Sequence, residues 1–123
     1  MAFGRKLVDN INQALDSTSY FTVAVDVEAY LVEVNLVSIK MSNVHASATK
    51  TKVIISRDQE GDDVLITETE SNILVGKTTS TTKCSSYRFN AIVPATDNDT
   101  FYIHVKLNNN TATLDRVFVS YEV

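Results

Sequence analysis

The chain has 123 residues, 44% of them hydrophobic, and a formal charge of −4 at pH 7 with an isoelectric point near 5.0. That length fits one domain with its own core, and fifteen acidic against eleven scattered basic residues exclude a duplex-binding surface, which needs clustered lysine and arginine. A single cysteine, Cys84, excludes an intrachain disulfide, and with only His45 and His104 to join it no zinc site can be assembled.

The first segment has a helical spacing. Phe3, Leu7, Val8, Ile11 and Leu15 recur on one face, while Asp9, Asn10, Asn12 and Asp16 fall mostly on the other. The pattern predicts one short amphipathic helix over residues 4 to 15, ended by the polar run Asp16-Ser17-Thr18-Ser19. A helix that short is marginal alone and must dock, either as a lid on its own core or as an arm on a neighbouring subunit. The expected division is therefore an N-terminal helix or arm over 1–19 and a β domain over 20–123.

After Ser19 the apolar period changes from 3.6 to 2. Phe21, Val23, Val25 and Val27 alternate with Thr22, Ala24, Asp26 and Glu28. Tyr30, Val32, Val34 and Leu36 then share a face, and the set slips to Val37, Ile39 and Met41, which predicts a bulge near Leu36-Val37. Thr49 to Arg57 reads as a strand, Glu60-Gly61-Asp62-Asp63 as a turn, and Val64 to Glu68 as a short partner strand. Ser71 to Lys83 reads as the longest loop, and its Thr78-Thr79-Ser80-Thr81-Thr82 run fits either an exposed loop or a polar edge strand. Cys84 to Val93 and Thr100 to Leu107 are further strands. Asn108-Asn109-Asn110 is a turn, since asparagine tolerates positive φ, and Thr111 to Val123 closes a predicted hairpin with the strand before it. About seven or eight short strands between polar turns predict an all-β, antiparallel β-sandwich, jelly-roll or immunoglobulin-like.

Each candidate for chemistry has an ordinary explanation. Gly76-Lys77-Thr78 resembles the end of a phosphate-binding loop, but that motif needs a glycine where Ser71 stands. Asp62, Asp63, Asp97 and Asp99 would offer oxygens to a hard cation if their turns met, yet aspartate is the usual turn residue. His45 lies in a turn-like stretch, Met41 to Ser47, and His104 on the outward face of a strand, so both read as surface residues. No Gly-x-Ser-x-Gly elbow occurs, and no pair of carboxylates stands out in a chain without tryptophan. Asn98-Asp99-Thr100 and Asn109-Asn110-Thr111 match the glycosylation pattern by chance in a chain without a signal peptide. No catalytic residue, cofactor or metal is expected.

The strongest interaction signal is the outward stripe Tyr102, His104 and Lys106, which Phe118 of the adjoining strand is expected to join. Phe3, Leu7 and Ile11 of the N-terminal segment complete the expected interaction surface. The apolar-rich stretch Tyr20 to Met41 is interrupted by Asp26, Glu28, Glu33, Asn35 and Lys40, so no membrane span is expected. Arg5-Lys6 runs into Leu7-Val8-Asp9 and not into a signal-peptide core, which points to a product kept in the cytosol, where viruses also assemble.

Ile54-Ile55-Ser56-Arg57-Asp58, Asp99-Thr100-Phe101-Tyr102-Ile103-His104-Val105-Lys106-Leu107 and Arg116-Val117-Phe118-Val119-Ser120-Tyr121 set the manner of the chain: strands rich in Thr, Asn and Val, with few glycines. In this the chain, from about Tyr20 to Val123, resembles the small β-sandwich structural proteins of tailed bacteriophages, such as capsid decoration (cement) proteins and minor tail or fibre modules. The resemblance implies an oligomeric, non-catalytic virion part, made in the host cytoplasm, that binds other capsid or tail proteins and neither nucleic acid nor membrane. A decoration protein clamping neighbouring capsid subunits is the first expectation. A carbohydrate-binding, lectin-like module or a tail accessory domain is the alternative, and a small hydrolase has no positive support.

Overall fold

A computed structural model describes residues 3–27, 31–44, 48–75, 81–94 and 100–123. Nine strands run through them: β1 (Phe3–Val8), β2 (Gln13–Leu15), β3 (Phe21–Asp26), β4 (Leu31–Val44), β5 (Ala48–Ser56), β6 (Val64–Val75), β7 (Thr81–Pro94), β8 (Thr100–Leu107) and β9 (Ala112–Glu122). Sheet A has the order β1-β9-β4-β7, with β2 also on β9, and sheet B the order β3-β8-β5-β6. Every pairing is antiparallel. The fold is thus an all-β sandwich.

The pairs are nested. β5 pairs with β6, β4 with β7, β3 with β8, and β1 and β2 with β9. The chain behaves as one long hairpin rolled into two sheets, then sealed by β9 on β4 and β8 on β5. This is the jelly-roll order, and it decides between the two topologies that periodicity leaves open. It also overturns the expected last hairpin. β8 and β9 belong to different sheets, so Asn108-Asn109-Asn110 is a crossing turn. Asn110 does take a positive φ of 61°, and the turn is anchored because the Lys50 amide donates to Asn109 Oδ1 at 2.8 Å.

The predicted N-terminal helix does not form. Residues 3–8 are a strand with a six-residue register on β9, from Phe3↔Glu122 to Val8↔Val117. Asn10 and Asn12 take φ of 53° and 51°, which no right-handed helix allows, and turn the chain into β2. The physical reason lies in β9: without β1 its outer edge would stand open, and strand pairing satisfies the backbone of a segment too short to hold a helix. The apolar spacing divides between two faces. Val8 and Ile11 pack against the core and Leu15 is buried in it, whereas Phe3 and Leu7 are 76% and 55% exposed.

The core is one layer of aliphatic side chains between the sheets. Val23 and Val25, Val53 and Ile55, Phe101, Ile103 and Val105, and Val117 and Val119 alternate inward on β3, β5, β8 and β9. On β4 the register shifts between Val34 and Leu36, one residue before the expected slip. Placing the extra residue at Asn35 keeps Val32 and Val34 on the same buried face as Val37, Ile39 and Met41. Leu36 is turned outward as a result. β6 extends to Val75, well past the short strand predicted, and β7 begins at Thr81, so both ends of the expected loop are strand and its residues 76–80 lie outside the described residues.

Gly4 meets a specific need at the edge of sheet A. It stands opposite Tyr121, whose ring packs edge-on to Phe101 with centroids 6.0 Å apart. The ring lies directly over Gly4, so an added Cβ would collide with it. Aromatic cover of an edge glycine is a known device for pinning register. Gly4→Ala is expected to cost about 1–3 kcal/mol by overpacking, lowering the midpoint of thermal unfolding. In a Tyr121→Ala background the same substitution should cost almost nothing, and equal costs in both backgrounds would show that no such contact exists.

Candidate functional site

The outer face of sheet B is organised by His104. Alternation does place it outward, between Tyr102 and Lys106 on β8, but it is only 3% exposed, so it is not the surface residue expected. Three elements cover it. Tyr20, just before β3, packs edge-on at 6.0 Å, Tyr102 stacks at 6.5 Å, and the turn at Gly61 passes over the ring. A Cβ built on Gly61 would lie 3.4 Å from the imidazole, and Gly61 has a φ of 79°, so the turn needs glycine on both counts.

The proton positions follow from the partners. Ser56 Oγ donates to the Asp58 carbonyl at 2.6 Å, which uses its one hydrogen. His104 Nε2, 2.6 Å from Ser56 Oγ, must then be the N–H donor to that hydroxyl oxygen. Nδ1 of the neutral ring accepts from the Thr22 hydroxyl at 2.8 Å. A nucleophilic serine requires the reverse arrangement, with the hydroxyl donating to imidazole. His104 is instead a cross-link joining β3, β5 and β8 to the β5–β6 turn.

That turn is acidic and tightly wound. The Asp58 carboxylate accepts from the amides of Asp62 and Asp63 at 3.1 and 2.9 Å. The Asp63 amide above all, with that of Asp62, holds the Asp58 carboxyl below its usual range against partial desolvation. Arg57 lies 3.9 Å from Asp63. Asp97 and Asp99, weighed with Asp62 and Asp63 as cation ligands and read instead as turn residues, lie outside the described residues, as do His45, Asn98 and Gly76-Lys77-Thr78. Among the described residues no cluster of three metal-ligating side chains occurs, and no helix is long and apolar enough to cross a membrane.

The outer face of sheet A differs. The register sets Leu7, Phe118 and Ser38 in one row across β1, β9 and β4, beside the Lys40↔Arg116 pair. Together with Leu36 they line a hollow of about 330 Å³, with an apolar floor and a cationic rim. Arg116 Nε lies 3.6 Å from Asp9 and has no hydrogen-bond partner although it is shielded from solvent. Arg5 and the exposed Phe3 extend the same face along β1.

The residues expected to form one interaction surface are thus divided. Phe3, Leu7 and Phe118 share sheet A, Tyr102, His104 and Lys106 share sheet B, and Ile11 packs against the core. Phe118 does not join the Tyr102 stripe, because β9 is not beside β8. Leu36, Lys40 and Arg116 were missed. The bulge that turns Leu36 outward was the available signal.

No family model matches the sequence, and no curated protein is similar to it. Solved structures share the fold. A carbohydrate-binding module from the family 9 glycoside hydrolase Cel9A of Ruminococcus flavefaciens FD-1 is 10% identical, with a TM-score of 0.56 over 97% of this chain and 98% of that one. The carbohydrate-binding module CBM36, solved with calcium and xylotriose, is 13% identical, with a TM-score of 0.51 over 99% and 100%. A chain of the T13 particle of IBDV, an icosahedral virus, is 12% identical, with a TM-score of 0.50 over 97% of this chain. This chain spans 31% of that viral chain's length. Such identities establish a jelly-roll shared by binding modules and virus particles, and the fold alone.

Burial pushes the His104 pKa below its ordinary value near 6.5, with the Asp58 carbonyl and carboxylate pulling weakly the other way. Well above pH 6.5 the ring is neutral in both folded and unfolded chains, and its contribution is complete. As the pH falls through that value the unfolded chain takes the proton first, so stability declines toward the lower folded pKa. Urea unfolding at about pH 7.5 and about pH 5, above the carboxylate range, should show this loss. His104→Gln should be less stable at the higher pH and should flatten the dependence; an unchanged slope would place its origin elsewhere.

Proposed function

We propose that the chain is a non-catalytic structural module of a virus particle, a phage capsid decoration protein that docks on neighbouring virion proteins through the outer face of sheet A. One observation carries the reading. Leu7, Leu36 and Phe118 form an apolar floor open to solvent, extended by Phe3, on a sheet whose other face carries Val32, Val34, Val37, Val117 and Val119 into the core. Exposed apolar ground beside a polar rim is the usual mark of a protein–protein contact. The jelly-roll shared with a chain of an icosahedral virus particle is compatible with it. Location in the virion, and the absence of enzymatic activity, belong to the same proposal.

Carbohydrate binding, the alternative suggested by two modules of similar extent, has weaker local support. Sugar stacking needs free aromatic faces. On sheet B the tyrosines are engaged: Tyr102 is stacked on His104, and Lys106 Nζ sits 4.7 Å over the Tyr20 ring.

Cosedimentation with phage capsids and tails tests the reading. The chain should pellet with one of them, and Leu7→Asp, at an exposed site and with circular dichroism to confirm that the variant is folded, should weaken that binding by roughly tenfold or more. No affinity for either particle, together with binding in a glycan array, would replace it with the carbohydrate reading.

A further inference from the structure

The occupant of the sheet A hollow can be argued from charge and from the exposed apolar side chains. The hollow is cationic, with Lys40 and Arg116 at its rim, in a chain of net charge −4. Its complement lies on the same molecule. The β5–β6 turn carries Glu60 and Asp62, both exposed, followed by Val64, 43% exposed at the start of β6. Phe3, Leu7 and Val64 are three of the four exposed large apolar residues among the described ones, and they fall on these two surfaces.

The two surfaces cannot meet within one copy. The hollow is on the outer face of sheet A, and the turn belongs to sheet B on the far side of the core. Pairing of β1 with β1 of a second copy is opposed by charge, since Arg5 and Lys6 at the centre of the strand would face their own counterparts.

We propose that the acidic β5–β6 turn of one copy seats in the sheet A hollow of the next. Val64 enters against Leu7 and Phe118, and Glu60 and Asp62 face the Lys40 ammonium and the Arg116 guanidinium at the rim. The contact joins two different surfaces, so it repeats head to tail and gives a ring or an open chain of copies. It rests on the reading of the sheet A face as a docking surface and names its occupant.

Sedimentation velocity of the whole chain tests it, with circular dichroism to confirm that each variant is folded. The wild-type mass should rise with concentration and fall back in high salt. Lys40→Glu, which leaves the Asp9–Arg116 pair in place, should weaken association by roughly tenfold or more, and so should the double variant Glu60→Lys/Asp62→Lys. An equimolar mixture of the two variants should associate again, because an intact turn then meets an intact hollow. A wild-type chain that is monomeric up to about 1 mM, variants that associate like the wild type, or a mixture that stays apart would each overturn the proposal. A monomeric chain that still binds particles through Leu7 would overturn this inference alone. A self-associating chain indifferent to particles would overturn the virion reading alone.

Discussion

The whole structure depends on one layer of branched aliphatic side chains shut between two sheets. Each valine or isoleucine removed from water there stabilises the fold by roughly 1.5–3 kcal/mol. A β-strand can supply such a layer only by alternation, so every second residue is committed and its neighbours are left to face outward. The bulge at Asn35 shows how strict the requirement is. β4 accepts a local fault in its ladders on both sides so that Val32 and Val34 stay on the buried face with Val37, Ile39 and Met41.

That layer was legible in the sequence because alternation is a local signal. Pairing was not, because the jelly-roll joins strands far apart in the chain. Only β5 and β6 are sequence neighbours that also pair, and their turn, Glu60-Gly61-Asp62-Asp63, was readable from its residues. The turn between β8 and β9 has equally good turn chemistry and crosses between sheets, since turn residues permit a reversal without choosing its plane. The N-terminal segment failed for a related reason. Phe3, Leu7, Val8, Ile11 and Leu15 fit a helical stripe, but the open edge of β9 is a stronger demand than local spacing. Asn10 and Asn12 were the residues that could have argued against the helix, as asparagine enters the left-handed region more readily than most.

His104 shows the limit of reading exposure from alternation. Its parity is outward, as expected, yet the turn at Gly61, far earlier in the chain, folds back over it. Outward faces are thus not equivalent. On sheet B the outer face is partly closed by Tyr20, Tyr102 and the Gly61 turn, with the imidazole's hydrogen-bonding capacity taken up by Ser56 and Thr22. On sheet A, among the described residues, no turn folds over the hollow, and Leu7 stays exposed.

This asymmetry bears on function more than the fold does. A jelly-roll presents two outer faces, and the same scaffold serves sugar-binding modules and virus particles because either face can be equipped without disturbing the layer between. In this chain the rings of sheet B are spent on internal contacts that stabilise the β5–β6 turn. The consequence reaches the other sheet's prospects. A turn pinned at its base by His104, Ser56 and the Asp58 carboxylate presents Glu60, Asp62 and Val64 in a fixed arrangement, so little conformational entropy is left to lose when they are buried. In the proposed head-to-tail contact, His104 would therefore matter by keeping an acidic turn in shape.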